Sequence, residues 1–413
     1  MKAGYRSHSS RTVRNIIMSL AIALVAAACS GSSSDDPTTT TSDSSGSTEG
    51  NVTTTEGSTD TTSAMDPSVA AAEERVAELY AGNWQLPPET GPAAVEGADV
   101  WFISCGQAFE PCANQAQAFS DAAEVLGWNA TIADGAADPT VAIGHIEQAI
   151  AAGADALALS AFDCSGIKNA LIQATDAGMP VVNTFSADCN EEDPSEDPLF
   201  AATMIMAGYP TATEFYRAWD ADKASYVIAK TGGQAEVVSV VSINQLIHRE
   251  GDLAFREVLS ECDGCSVVDS VEFTFADIGD GSFTQMVQSG LLNNADANVL
   301  FVPFDALYSL GVADALTQSG LNPITIGGEG FAPNMQLIRD GVQTASLALS
   351  FEWAGYGAAD TVNRILAGED PADLPNQGMG WQLVDAENNL PEEGAFVPDV
   401  DYRSVYEVVW TGS

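Results

Sequence analysis

Between Ala154 and Cys189 the chain reads ADALALSAFDCSGIKNALIQATDAGMPVVNTFSADC, and few folds accommodate such a stretch. Ala156–Ser160 is an apolar run too short for a stable helix and the right length for a buried strand. Phe162–Ser165 brings Asp, Cys and Ser, the chemistry of a turn and a helix N-cap. Ile167, Leu171, Ile172 and Ala174 recur at helical spacing until Gly178 stops the helix. Pro180 follows, and Val181–Phe185 reads as a second buried strand. Strand, crossover helix and strand in so few residues make a parallel βαβ unit, right-handed by default. In open parallel sheets ligands sit beyond the carboxyl ends of the strands, here Ser160–Asp163 and Asn183–Ser186.

The same alternation extends along the chain. Strands are predicted at Val100–Ser104, Ala130–Ala133 and Phe200–Met206, and helices at Asp66–Tyr80, Ala113–Leu126, Val141–Ala152 and Pro210–Trp219. The second half repeats the pattern, with strands at Glu236–Val241, Ser266–Phe273, Asn298–Phe304, Ile324–Gly327 and Val342–Ser350. Helices separate them at Leu246–Ser260, Phe283–Leu292, Leu307–Ser319 and Asn334–Arg339, and Trp353–Leu366 follows. Trp381–Val384 and Val405–Trp410 read as edge strands. The fold class is therefore α/β, with parallel sheets covered on both faces. Two similar runs predict two lobes, because a (β/α)₈ barrel needs eight even repeats and the tail after Gly368 breaks the rhythm.

Charge excludes one class of partner. Fourteen basic residues against 58 acidic ones give a net charge of −44, which repels phosphate backbones, so no nucleic acid is expected. Residues 1–28 read as a targeting segment, with Lys2, Arg6, Arg11 and Arg14 before an apolar run at Ile16–Ala28 that is too short to span a bilayer. Its end, Ala26-Ala27-Ala28-Cys29, resembles a lipobox with Cys29 as the lipidated residue; an ordinary secretory signal cut near Ala28 is the alternative. Residues 29–65 are rich in Ser and Thr and read as a disordered tether. The chain is thus expected to be exported and held by a lipid on the outer face of the cell membrane or in the periplasm. Removing the signal leaves 10 basic residues and a charge near −48.

Six further cysteines, Cys105, Cys112, Cys164, Cys189, Cys262 and Cys265, suit disulfides in an exported chain. Sequence leaves fifteen pairings open; proximity favours Cys105–Cys112, Cys164–Cys189 and Cys262–Cys265. A redox pair at CDGC is disfavoured because it follows a helix instead of starting one. Zinc would need four convergent thiolates, so no metal or cofactor is expected.

No G-x-S-x-G elbow, P-loop or strand-linked G-x-G-x-x-G occurs. After the signal only His145 and His248 remain, and His145 lies in mid-helix. Asp188, Asn190 and Glu192 alternate as in a calcium loop, but without the glycine its turn needs. No catalytic residue is expected. The residues able to grip a small polar ligand stand at strand ends: Ser104, Gln107, Phe109, Asp163, Phe185, Ser186, Asn244, Arg249, Phe304, Asp305, Glu329 and Glu352. Aromatic rings mixed with Asp, Asn, Gln and Arg suit a sugar, whose C–H faces stack while its hydroxyls take hydrogen bonds.

Four segments carry a family resemblance: the opening unit with Asp163 and "AGMPVVNTFS", then "NVLFVPFDALYSLGVADAL", "ITIGGEGFAPNMQLIRDG" and "ASLALSFEWAGYGAADTVNRILAGED". In this order, over about residues 98–374, they resemble the type I periplasmic substrate-binding proteins of ABC transporters, in the ribose-binding-like branch. The resemblance implies two Rossmann-like lobes joined by a multi-strand hinge. Lobe 1 would hold 98–206 and about 351–374, lobe 2 would hold 207–350 and about 375–413, and 66–97 would be a helix and lead-in. It also implies a monomer that closes on a sugar and presents it to an ABC permease, with Asp163, Phe304, Asp305 and Glu329 facing the cleft. Phe185-Ser186 stands where ribose-type members often carry Asp-Arg, and Phe304 where they often carry Asn. A ligand-sensing receptor, or an anchored glycoside-acting enzyme, remains an alternative on the same scaffold, whereas the missing basic helix-turn-helix excludes a related repressor.

Overall fold

A computed structural model describes residues 66–412, so the signal segment, Cys29 and the tether lie outside the described residues. A first helix, α1 (Pro67–Ala81), leads into five strands: β1 (Asp99–Ser104), β2 (Asn129–Asp134), β3 (Ala156–Ser160), β4 (Val181–Thr184) and the two-residue β5 (Ala202–Thr203). They form one sheet in the order β2-β1-β3-β4-β5, parallel throughout. Between them run α2 (Glu110–Val125), α3 (Pro139–Ala152), α4 (Cys164–Asp176) and the single turn α5 (Cys189–Glu192).

A long helix, α6 (Ala212–Thr231), opens the second lobe. There β6 (Ala235–Ser242), β7 (Cys265–Phe273), β8 (Val299–Phe301), β9 (Ile324–Glu329) and β10 (Ala345–Ala348) alternate with α7 (Leu246–Leu259), α8 (Phe275–Gly279), α9 (Phe283–Asn293), α10 (Ala313–Ser319) and α11 (Ala332–Arg339). The chain then makes α12 (Phe351–Leu366), β11 (Gln382–Asp385) and α13 (Tyr402–Thr411). The second sheet runs β11-β10-β9-β8-β6-β7, with β11 antiparallel at one edge.

Period-two alternation sorts the first sheet's side chains between two cores. Val100, Phe102, Ala156 and Ala158 face α2 and α12, while Ile103, Leu157 and Leu159 face Ile146 of α3 and Ile167 and Leu171 of α4. Alanines on the first face let α2 and α12 settle close together. At Gly355 of α12 a Cβ would come within 2.6 Å of the Gln115 carbonyl of α2, so only glycine fits.

The lobes do not divide as the sequence suggested. β11 joins the second sheet, but α13 packs on first-lobe helices, with Trp410 Nε1 donating to Asp360 Oδ1 of α12 at 2.9 Å. Val405–Trp410 is helix, not edge strand, because Tyr402, Tyr406 and Trp410 recur every four residues between an Asp401 N-cap and Gly412. α6 runs twelve residues beyond Trp219, and α8 was not foreseen. Sheet pairing in Phe200–Met206 is limited to the two residues of β5, with Met206 making an isolated bridge to Tyr209. The N-terminal helix belongs with lobe 2: Arg75 makes two 2.7 Å bonds to Asp222 of α6, and Tyr80 donates to Asp385 of β11 at 2.6 Å.

Candidate binding cleft

The carboxyl ends of the two sheets face each other across a cavity of about 180 Å³. Lobe 1 supplies the Cys105–Cys112 segment after β1, Ala137 after β2, Ser160–Asp163 after β3, Phe185 after β4 and Phe351 at the start of α12. Lobe 2 supplies Tyr216 of α6, Asn244–His248 after β6, Phe275 after β7, Phe304 after β8 and Glu329 at the end of β9. Strand ends from both sheets therefore converge on one volume, as open parallel sheets require.

Backbone strain is concentrated there. Ala161, Phe185 and Glu329 have φ of 59°, 55° and 126°, conformations that cost a non-glycine residue about 1–3 kcal/mol and persist where surroundings enforce them. Each ends its strand by turning the chain sharply at the cavity wall. Behind the wall, Gln115 of α2 fixes two strand ends at once: its Nε2 donates to Thr184 Oγ1 at 2.9 Å, and its Oε1 accepts from Ser160 Oγ at 2.6 Å.

The lobes are closed on one another. Asp163 accepts from Ala187 N of its own lobe at 2.9 Å and from Leu246 N, the first residue of α7 opposite, at 2.8 Å. Gln245 Nε2 donates to Ala161 O across the cleft at 3.3 Å, and on the rim Arg249 Nη2 meets Glu192 Oε1 at 3.0 Å. Burial pushes the Asp163 and Glu329 carboxyls up, Glu329 well above the usual range, with Asp305 adding like-charge repulsion there. Burial likewise drives the His248 imidazole down to about 3, helped by the buried Lys223, so it is neutral.

Phe109, Asp163, Phe185, Asn244, Phe304 and Glu329 thus line the cavity. The other predicted residues do not. Ser104 points into the lobe and donates to Cys112 O, and Ser186 is buried on Thr184 O. The Gln107 backbone leans on Asp134, and Arg249 stays on the rim. Asp305 is enclosed by Ser346, Gln343 and Gly330 N, which makes it a lobe 2 structural acceptor. Glu352 borders a separate groove beside Arg403. Sequence reasoning missed Tyr216, Gln245, His248, Phe162 and Phe351. For His248 a signal existed, since it falls in the first turn of α7, just beyond the carboxyl end of β6.

The disulfides pair Cys105–Cys112, Cys164–Cys189 and Cys262–Cys265. The first forms part of the cavity wall, and the second ties the start of α4, beside Asp163, to α5. Cys164, Asp188 and Cys189 form the one metal-like cluster among the described residues. Its sulfurs are bonded to each other and Asp188 accepts from Cys189 N, Leu199 N and Phe200 N, so it offers no ligand set.

Known proteins resemble this chain in sequence and in fold. The ribose import binding protein RbsB of Bacillus subtilis is 25% identical over 247 residues, 60% of this chain and 74% of that protein. Two solved structures superpose at low identity and show the fold alone. An ABC sugar transporter subunit from Rhodobacter sphaeroides has a TM-score of 0.59 at 19% identity, covering 71% of this chain and all of that one. The periplasmic binding protein component of the arabinose ABC transporter from Shewanella sp. ANA-3 has a TM-score of 0.58 at 18% identity, covering 75% and 95%. The model of the periplasmic binding protein domain matches residues 107–370, which hold all the strands of the two facing sheets but β1 and β11, and the chain belongs to that family.

Proposed function

We infer that this chain is the extracytoplasmic binding component of an ABC import system, taking a small sugar or a related compact solute between its lobes and releasing it unchanged to a permease. The observation that carries this reading is the bridge from Asp163 to Leu246 N. One buried carboxylate joins both lobes at the cavity wall, so solute contacts and lobe closure are formed together. The names of the ribose- and arabinose-type relatives support the sugar class. A lipid on Cys29 would hold the domain at the membrane surface, where it would act as a monomer.

The test is a melting-temperature screen of the mature chain against ribose, arabinose, glucose and myo-inositol, with recovery of the solute afterwards. A saturable rise and an intact solute are expected, since a solute at a hundred times its Kd adds about 2.7 kcal/mol. Chemical conversion of the solute would overturn the reading.

A further inference from the structure

We propose that the solute selected by this cavity is a small organic cation: an ammonium group flanked by apolar or C–H faces, on a sugar ring or on an alkyl chain. This assignment rests on the solute-binding reading above and sharpens its ligand.

The charge pattern of the wall is one-sided. Asp163 and Glu329 line the cavity and no Lys or Arg does. The nearest cations are committed elsewhere. Arg249 donates to Ile243 O and Glu192 on the rim, and Lys223 lies behind the wall, held by Asp220 Oδ1 and Pro303 O at 2.7 Å each and 3.4 Å over the Trp219 ring. A carboxylate or phosphate entering here would meet no counter-charge, and like charge wherever Asp163 or Glu329 is ionised.

The unpaired polar atoms point the same way. Gln245 and His248 are 8% and 6% exposed, and Gln245 Oε1 and His248 Nδ1 have no hydrogen-bond partner. Gln245 already spends its amide N–H on Ala161 O, so an acceptor is left over, and the neutral imidazole always carries one acceptor nitrogen. The amide oxygen and the acceptor nitrogen of the imidazole ask for donors, and each carboxyl does so once it is ionised. An ammonium group is donor-only, whereas a neutral hydroxyl-rich ring brings as many acceptors as donors and would leave them unpaired.

The rest of the wall is aromatic. Phe185 and Phe351 pack at 4.9 Å, His248 stacks on Phe304 at 4.8 Å, and Tyr216 stands edge-on to Phe185 and His248. Ring faces attract desolvated cations and tolerate apolar flanks. Burial supports the same reading. Glu329 faces Asp305 and Lys223 from behind, Tyr216 faces both Glu329 and Asp163, and Asp163 faces Glu192 and Arg249. A cation entering between the two raised carboxyls draws them down, so binding releases protons and tightens as pH rises.

The test is titration calorimetry of the mature chain with butylamine and glucosamine as cationic probes, and glucose and glucuronate as neutral and anionic counterparts, between about pH 5.5 and 7. At least one cation is expected to bind at least about tenfold more tightly than glucose, with proton release and an affinity that rises with pH. Which of the two cations binds separates an alkylammonium from an aminated sugar. Glu329→Gln should lower cation affinity about tenfold while leaving the melting temperature of the free chain unchanged or higher. Glucose binding as tightly as the better of the two cations, or binding of glucuronate, would overturn the charge assignment and leave the solute-binding reading standing. Failure of both cations to bind the folded chain would also overturn it.

Discussion

Removing the charge of Lys223 probes the support behind the cavity most directly. The side chain is fully buried on α6, bonded to Asp220 and Pro303 O and seated over Trp219. Burial drives Asp220 up to about 6 even against the pull of the ammonium. Lys223→Met keeps most of the stem and leaves Asp220 buried without its cation, which costs about 3–5 kcal/mol. Unfolding entropy of about 2.1 cal/mol/K per residue over about 350 described residues turns that into a fall of about 4–7 °C in Tm. Asp220→Asn orphans the ammonium instead and should cost a similar amount. The double variant strands neither charge, so it should melt well above the sum of the singles, with a coupling of about 2–3 kcal/mol. Scanning calorimetry of the four proteins at neutral pH gives the cycle. Additive singles, or a Lys223→Met protein within about 1 kcal/mol of the parent, would refute the reasoning.

Two further outcomes follow from the same structure. The Cys164–Cys189 bridge spans 25 residues and should contribute about 3–4 kcal/mol by restricting the unfolded chain, so a Cys164→Ala, Cys189→Ala protein should melt about 5 °C lower; a change under about 1 °C would count against this. For His248, the folded imidazole sits at about 3 and the unfolded one near 6.5, so the unfolded chain binds the extra proton between those values. Stability is therefore lost as pH falls through that window, by at most about 4–5 kcal/mol, and His248→Gln should show a shallower loss in urea titrations. Equal slopes in the two proteins would refute it.

The alternation of strands and helices was legible because buried parallel strands are short continuous apolar runs bounded by turn residues. β3 and α4, flanked by Asp163 and Gly178, follow that rule closely. The later half of α6 was not legible, because Asp220, Asp222 and Lys223 interrupt its apolar stripe and are nonetheless buried. Val405, Val408 and Val409 look like a strand, and only the four-residue recurrence of Tyr402, Tyr406 and Trp410 marks α13 as a helix. At the cavity, strand-end logic located Asp163, Phe185, Phe304 and Glu329. It could not tell that Asp305, one residue after Phe304, turns back into its own lobe. Nor could it reach Tyr216, which arrives from a helix that no strand end announces, and beyond the strand at 342–350 it took Glu352 in place of its neighbour Phe351.

The way the chain is laced between its halves constrains how it can open. It passes between lobes at 82–97, 204–211, 349–350, 367–381 and 386–401, and two of these segments are stitched together where Asn83 N donates to Trp381 O and Gln85 N to Gly378 O. Parallel tethers of this kind leave little freedom to slide or separate and favour a hinge-like flexing in which all of them share the deformation. Neither residue 85 nor residue 378 lines the cavity, so a bolt placed there would slow solute exchange without touching any atom that meets the solute.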